Sequence, residues 1–134
     1  MMLLRLSAAA LLLLIAVASA ADYGVKPGRY LGKWEGGSSA GKIEISIAGN
    51  DGQPTSADVV FTYQDARVPT KLRRFVVTGQ AIEIVYDFDL DGTTLQSSLK
   101  GDLKERKLTG SYRTTVSGGS EQVDQGTWEA TRED

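Results

Sequence analysis

From Tyr30 onward the chain repeats one device: a short run of alternating apolar and polar side chains, stopped by a cluster of turn residues. Lys42 to Ala48 is the clearest case, with Ile43, Ile45 and Ile47 on one face and Lys42, Glu44 and Ser46 on the other. A period of two is what a strand with one buried face requires. The runs Leu31–Glu35, Ala57–Gln64, Lys71–Thr78, Gln80–Leu90, Thr93–Gly101, Leu108–Thr115 and Gly126–Arg132 follow it too. In Lys71–Thr78, Leu72 falls out of phase with Phe75 and Val77, which predicts a bulge near Arg73-Arg74 that absorbs one residue. Asp91-Gly92 is a two-residue hairpin signal, because both positions tolerate positive φ. Gly49 to Pro54 reads as a turn cluster, and Lys104–Lys107 and Ser117–Ser120 as a turn and a loop.

No window places apolar residues at helical spacing over the ten or so residues a helix needs. The expectation is an all-β antiparallel up-and-down meander of about eight strands over residues 30–134. An open sheet of that size leaves two edges unpaired and an apolar face wet, whereas closure into a barrel removes both liabilities. An eight-stranded barrel has room for packed side chains or for one small ligand. A two-sheet β-sandwich is the alternative.

Ahead of the alternating region, Met1–Arg5 carries one positive charge, Leu6–Val17 is apolar, and Ala18-Ser19-Ala20 offers small residues for cleavage before Ala21. Those three parts predict a helical signal peptide over residues 1–20 and a secreted or periplasmic product. The apolar run is shorter than the ~20 residues a membrane-spanning helix needs, so no membrane attachment is expected after cleavage. Residues 21–29, with Gly24, Pro27 and Gly28, read as an N-terminal leader or strap. Fifteen Lys+Arg against 17 Asp+Glu, interspersed, recommend no nucleic-acid partner. The chain has no cysteine although an export compartment permits disulfides, so stability has to come from one apolar core.

Leu31-Gly32-Lys33-Trp34 at the first strand, with Thr127-Trp128 and Arg132 at the last, resembles the closure of avidin-like and lipocalin-like (calycin-type) barrels. The resemblance implies that Trp34 packs low in the barrel, that Trp128 lies beside it where the last strand meets the first, and that Arg132 covers Trp34 by a cation–π contact. The chain departs from these families in two ways. No helical pattern follows the last strand, and Trp34 and Trp128 are the only tryptophans, so biotin binding is not implied.

The inventory of reactive groups argues against an enzyme. Without histidine or cysteine the usual general base, thiolate nucleophile and most transition-metal sites are missing. Ser38, Ser39, Ser117 and Ser120 lie in turns and outside any nucleophile elbow. Asp87, Asp89 and Asp91 with Gly92 match the first half of a calcium loop, but Ser98 stands where the bidentate glutamate belongs, and alternation along a strand sets the carboxylates in a row. No metal or other cofactor is expected. Arg67, Lys71, Arg73 and Arg74, with Arg113, form a basic cluster that reads as edge protection or as a patch for an anionic partner.

The residues that suggest a task are small ones. Ser97, Gly110 and Thr114 share the inward phase with large apolar groups from earlier strands, which leaves space and hydroxyls to satisfy. Tyr63, Tyr86 and Tyr112 would border that space. A solid core filled by these tyrosines is the competing expectation. Two functional readings follow. One is a non-enzymatic exported barrel holding a small, partly apolar ligand among Tyr63, Tyr86, Ser97, Tyr112 and Thr114. The other is a module for a protein partner, such as an inhibitor or accessory subunit, that acts through its loops or leader. Protease-inhibiting barrels of similar size act in that way, but their cysteine pair is absent here.

Overall fold

The computed structural model describes residues 24–134. The expected signal peptide, residues 1–20, and the first residues of the expected leader, 21–23, lie outside them. The described chain is all-β: β1 (Gly28–Gly36), β2 (Ala40–Asn50), β3 (Gln53–Tyr63), β4 (Ala66–Pro69), β5 (Lys71–Thr78), β6 (Ala81–Leu90), β7 (Thr93–Lys104), β8 (Lys107–Val116) and β9 (Gln122–Arg132). They form one curled antiparallel sheet in the order β4-β3-β2-β1-β9-β8-β7-β6-β5. The first strand pairs with the last, with Trp34 directly opposite Trp128.

Nine strands replace the expected eight because β4 is separate. Gln64 and Asp65 both adopt positive φ and make a two-residue hairpin turn, placing Val68 in the core. The chain between β2 and β3 also differs from expectation. The turn is confined to Asp51-Gly52, at φ 52° and 78°, and Pro54 lies inside β3 beside a bulge at Ala48/Gly49. Asp91-Gly92 makes the hairpin turn read from the sequence, at φ 52° and 81°, and the register of β5 slips between Leu72 and Arg74.

Hydrogen bonding does not run through every consecutive pair. β4 and β5 are the two edges of the sheet, joined only through Thr70. β4 is antiparallel to β3 and β5 to β6, so the two run in the same direction, in line through Thr70, and leave a seam between the β3–β4 and β5–β6 pairs. Side chains close the seam instead. Phe61 from β3 meets Phe88 of β6 edge-on at 4.9 Å and Tyr86 at 6.2 Å, and Thr70 donates its hydroxyl to the Val59 carbonyl at 2.6 Å.

The two ends of the curl are unlike. At one end, the turns at 50–53, 78–81 and 104–107 meet the leader and the C-terminus. Val25 is buried there, its N–H bonded to the Gly79 carbonyl, and Tyr30 donates its phenol to the Lys26 carbonyl. Leu108, Ile45 and Tyr30 fill the interior above this strap. The other end is rimmed by residues 37–39, Gln64-Asp65, Asp91-Gly92 and the 117–121 loop, and nothing among the described residues crosses it.

Candidate ligand cavity at the open end

The open end leads into a cavity of about 240 Å3. Its inner boundary is set by the tryptophans. Trp34 lies along the sheet over Gly41, its opposite number in β2, and donates its indole N–H to the Thr62 carbonyl of β3 at 3.0 Å. A side chain at Gly41 would sit 2.6 Å from that indole nitrogen. Trp128 mirrors this on the other side of the β1–β9 pair. It crosses Gly110 of β8 and reaches the carbonyls of Ser111 at 3.1 Å and Lys100 at 3.3 Å. A Cβ at Gly101 would meet its ring at 2.7 Å. Glycine is needed at these positions because only a bare backbone lets an indole lie flat on a strand. Gly110 contributes no empty volume to the cavity: a Cβ there would meet the Lys100 carbonyl and the Gly101 backbone of β7.

Around this floor stand Phe61, Tyr63, Tyr86, Phe88 and Tyr112, with aliphatic Ile43, Leu90, Leu95 and Leu99. Tyr112 packs edge-on against Trp34 at 6.0 Å. All five residues expected around an interior space, Tyr63, Tyr86, Ser97, Tyr112 and Thr114, line this one cavity. Ser38, Ser39, Val123 and Asp124 complete the mouth and were not anticipated. Asp124 was readable: it continues the inward phase of Ala130, Trp128 and Gly126, two residues before the expected start of the last strand.

The polar groups inside are few and mutually engaged. Ser97 Oγ and Thr114 Oγ1 are buried and 2.6 Å apart. The Tyr86 phenol lines the same space as this pair, and burial pushes its ionisation far above the ordinary tyrosine range. At the mouth, Tyr112 donates to Asp124 Oδ2 at 2.6 Å, and the Gly37 N–H donates to Oδ1 at 3.3 Å. Burial, then the hydrogen bond and negative charge of Asp124, drive the Tyr112 phenol far upward, so it stays a donor.

One expectation needs correction. Arg132 does not cover Trp34. In the β1–β9 register it stands opposite Tyr30, four residues or about 13 Å along the strand from Trp34. Its side chain packs against Gly28, on the far side of Tyr30. The calcium half-loop is spent on protein partners. The Asp87 carboxylate is buried, accepting from Arg73 Nε at 2.5 Å and Gln96 Nε2 at 2.9 Å, and Asp89 accepts from Thr94 at 2.6 Å. Burial raises the Asp87 pKa, but the Gln96 and Arg73 bonds outweigh it and hold the group below the ordinary carboxylate range. The basic cluster is also paired: Arg67 with Glu44, Arg73 with Asp87 and Arg74 with Glu83, all on the outer face.

Comparison of the chain with family models, with curated proteins and with solved structures finds no match.

Proposed function

We propose that this is an exported, non-enzymatic β-barrel domain that binds a small, partly apolar molecule in its open-end cavity. The observation that carries the reading is the uneven filling of one core. The strapped end carries a buried aliphatic core and, beneath it, only a recess of about 210 Å3 bordered by Lys26, Arg106 and Arg132, while the open end keeps about 240 Å3 between aromatic rings with no cation in its lining. Ligand sites are typically mostly apolar hollows with a few polar groups that fix orientation. Here the fixing groups are the Tyr86–Ser97–Thr114 hydroxyls and the Tyr112–Asp124 pair. The Ser97–Thr114 contact uses one of that pair's two O–H groups and leaves the other to donate elsewhere.

Thermal-shift screening of residues 21–134 against small-molecule extracts tests the reading. A ligand at a hundred times its Kd adds about 2.7 kcal/mol, a rise in Tm of roughly 10 °C for a domain of this size. Leu95 lines the mouth and is only half-buried, so Leu95→Trp should narrow the entrance without disturbing the strapped end. The expected result is a ligand-induced rise in wild type that Leu95→Trp abolishes while its ligand-free Tm holds. A rise that survives unchanged in Leu95→Trp places the binding elsewhere, and no rise with any fraction removes the proposal.

A further inference from the structure

We propose that the molecule this cavity takes is a small organic cation, an amine or quaternary ammonium on a compact apolar body; the proposal rests on the cavity reading above. Seven of the chain's ten aromatic side chains line the space, and no lysine or arginine does. Aromatic rings attract a cation through their quadrupole, the more so where water is excluded.

Asp124 gives the second argument. Five carboxylate residues in the described chain are shielded from full exposure: Glu44, Glu83, Asp87, Asp124 and Glu129. Glu44 pairs with Arg29 and Arg67, Glu83 with Arg74, Asp87 with Arg73, and Glu129 with Lys107. Asp124, the one that faces the cavity, is held only by neutral donors, the Tyr112 hydroxyl and the Gly37 N–H. Those two contacts fix the carboxylate in place and leave its charge uncompensated among the described residues. A ligand cation supplies what the other four carboxylates obtain from the protein.

The rim points the same way. The turns that surround the mouth contain Asp65, Asp91 and Glu121 and no lysine or arginine. Cations on the strands beside the mouth, Lys42, Arg67, Arg73 and Arg113, sit on the outer face of the sheet, and Arg67 and Arg73 are bound to Glu44 and Asp87. A mouth of one sign concentrates ligands of the other. The volume bounds the ligand, since it lies below the roughly 300–1,000 Å3 of drug-sized sites. One ring or a short branched chain fills it.

Three probes of nearly equal size separate the possibilities: phenethylamine (cationic at neutral pH), phenethyl alcohol (neutral) and hydrocinnamate (anionic). Titration calorimetry, with tryptophan fluorescence reporting on Trp34 and Trp128, reads each Kd. The expected order is the amine tightest by about tenfold over the alcohol, with hydrocinnamate weakest. Added salt should weaken the amine more than the alcohol. Asp124→Asn keeps an acceptor for Tyr112 and should abolish the amine's advantage over the alcohol within the same variant; an unaltered Tm establishes that the variant is folded. If the alcohol or hydrocinnamate binds as well as the amine, or Asp124→Asn leaves the amine's advantage intact, the cation is wrong and the cavity stands. If none of the three binds wild type, the cavity reading falls and the cation with it.

Discussion

The strapped and open ends of this sheet are built from the same strands, yet they use inward positions differently. Toward the strap, β1, β2, β8 and β9 present Tyr30, Ile45, Leu108 and Ala130, all essentially without solvent contact. Toward the mouth the same four strands present Trp34, Gly41, Tyr112 and Asp124, and a hollow remains. Charge divides as well. At the strapped end Arg29 pairs with Glu133 and Arg106 with Asp134, whereas Asp124 at the mouth has neutral donors only. One end is finished as a core, and the other is left with groups that call for a partner. The paired tryptophans are the boundary, each spread over a glycine bed away from the other.

That division predicts where the fold can be broken. The largest effect belongs to the boundary itself. A methyl group at Gly110 would collide with the Lys100 carbonyl and the Gly101 backbone, neither of which can yield without parting β7 from β8. Gly110→Ala should therefore cost about 4 kcal/mol or more, in the range reserved for backbone collision and core disruption, and urea denaturation measures it. The next prediction compares leucines across the boundary. Leu108 is fully buried at the strapped end, so Leu108→Ala should cost about 3 kcal/mol from lost transfer energy and a new void. Leu95 borders a hollow that already exists, and Leu95→Ala should cost about 1 kcal/mol. Equal losses would mean that both ends are packed alike.

Much of this was legible in the residue order, because a buried sheet face writes itself into the chain with a period of two. The isoleucines of β2 and the phase slip in β5 located a face and a bulge correctly. The strand β4 was illegible because Gln64-Asp65 is not a usual positive-φ pair; only the paired tertiary context holds both residues there. The seam between β4 and β5 was hidden for a related reason, since alternation marks strands and does not say which strands bond. In the cavity, the inward phase gave the tyrosines, Ser97 and Thr114 as its lining. It misjudged Gly110, where the β7 backbone at Lys100 and Gly101 stands in the place a side chain would take. Asp124 continues the inward phase of the last strand, but the Ser38-Ser39 rim belongs to the mouth because turns far apart in the chain converge on one end, and a local pattern carries no such information.

The smallest expected effect is the most discriminating about what the hollow is for. Ser97 and Thr114 are buried opposite each other on β7 and β8, and each supplies the other's hydrogen bond at 2.6 Å. If the pair is there to stabilise the sheet, removing both hydroxyls should be as harmful as removing either. The physics of buried polar groups predicts otherwise. Thr114→Val alone leaves the Ser97 hydroxyl short of a partner and should cost about 1–2 kcal/mol. Ser97→Ala alone should cost a similar amount. The double variant removes both unmet groups together, so its loss should be less than the sum of the singles, with a coupling of about 1 kcal/mol in a double-mutant cycle. The same double variant takes a polar anchor out of the cavity, so ligand-induced thermal shifts should shrink although the variant, about 1–3 kcal/mol less stable, still folds. A double variant that keeps the full shift would assign these hydroxyls to the sheet alone and leave orientation of the ligand to Tyr112 and Asp124.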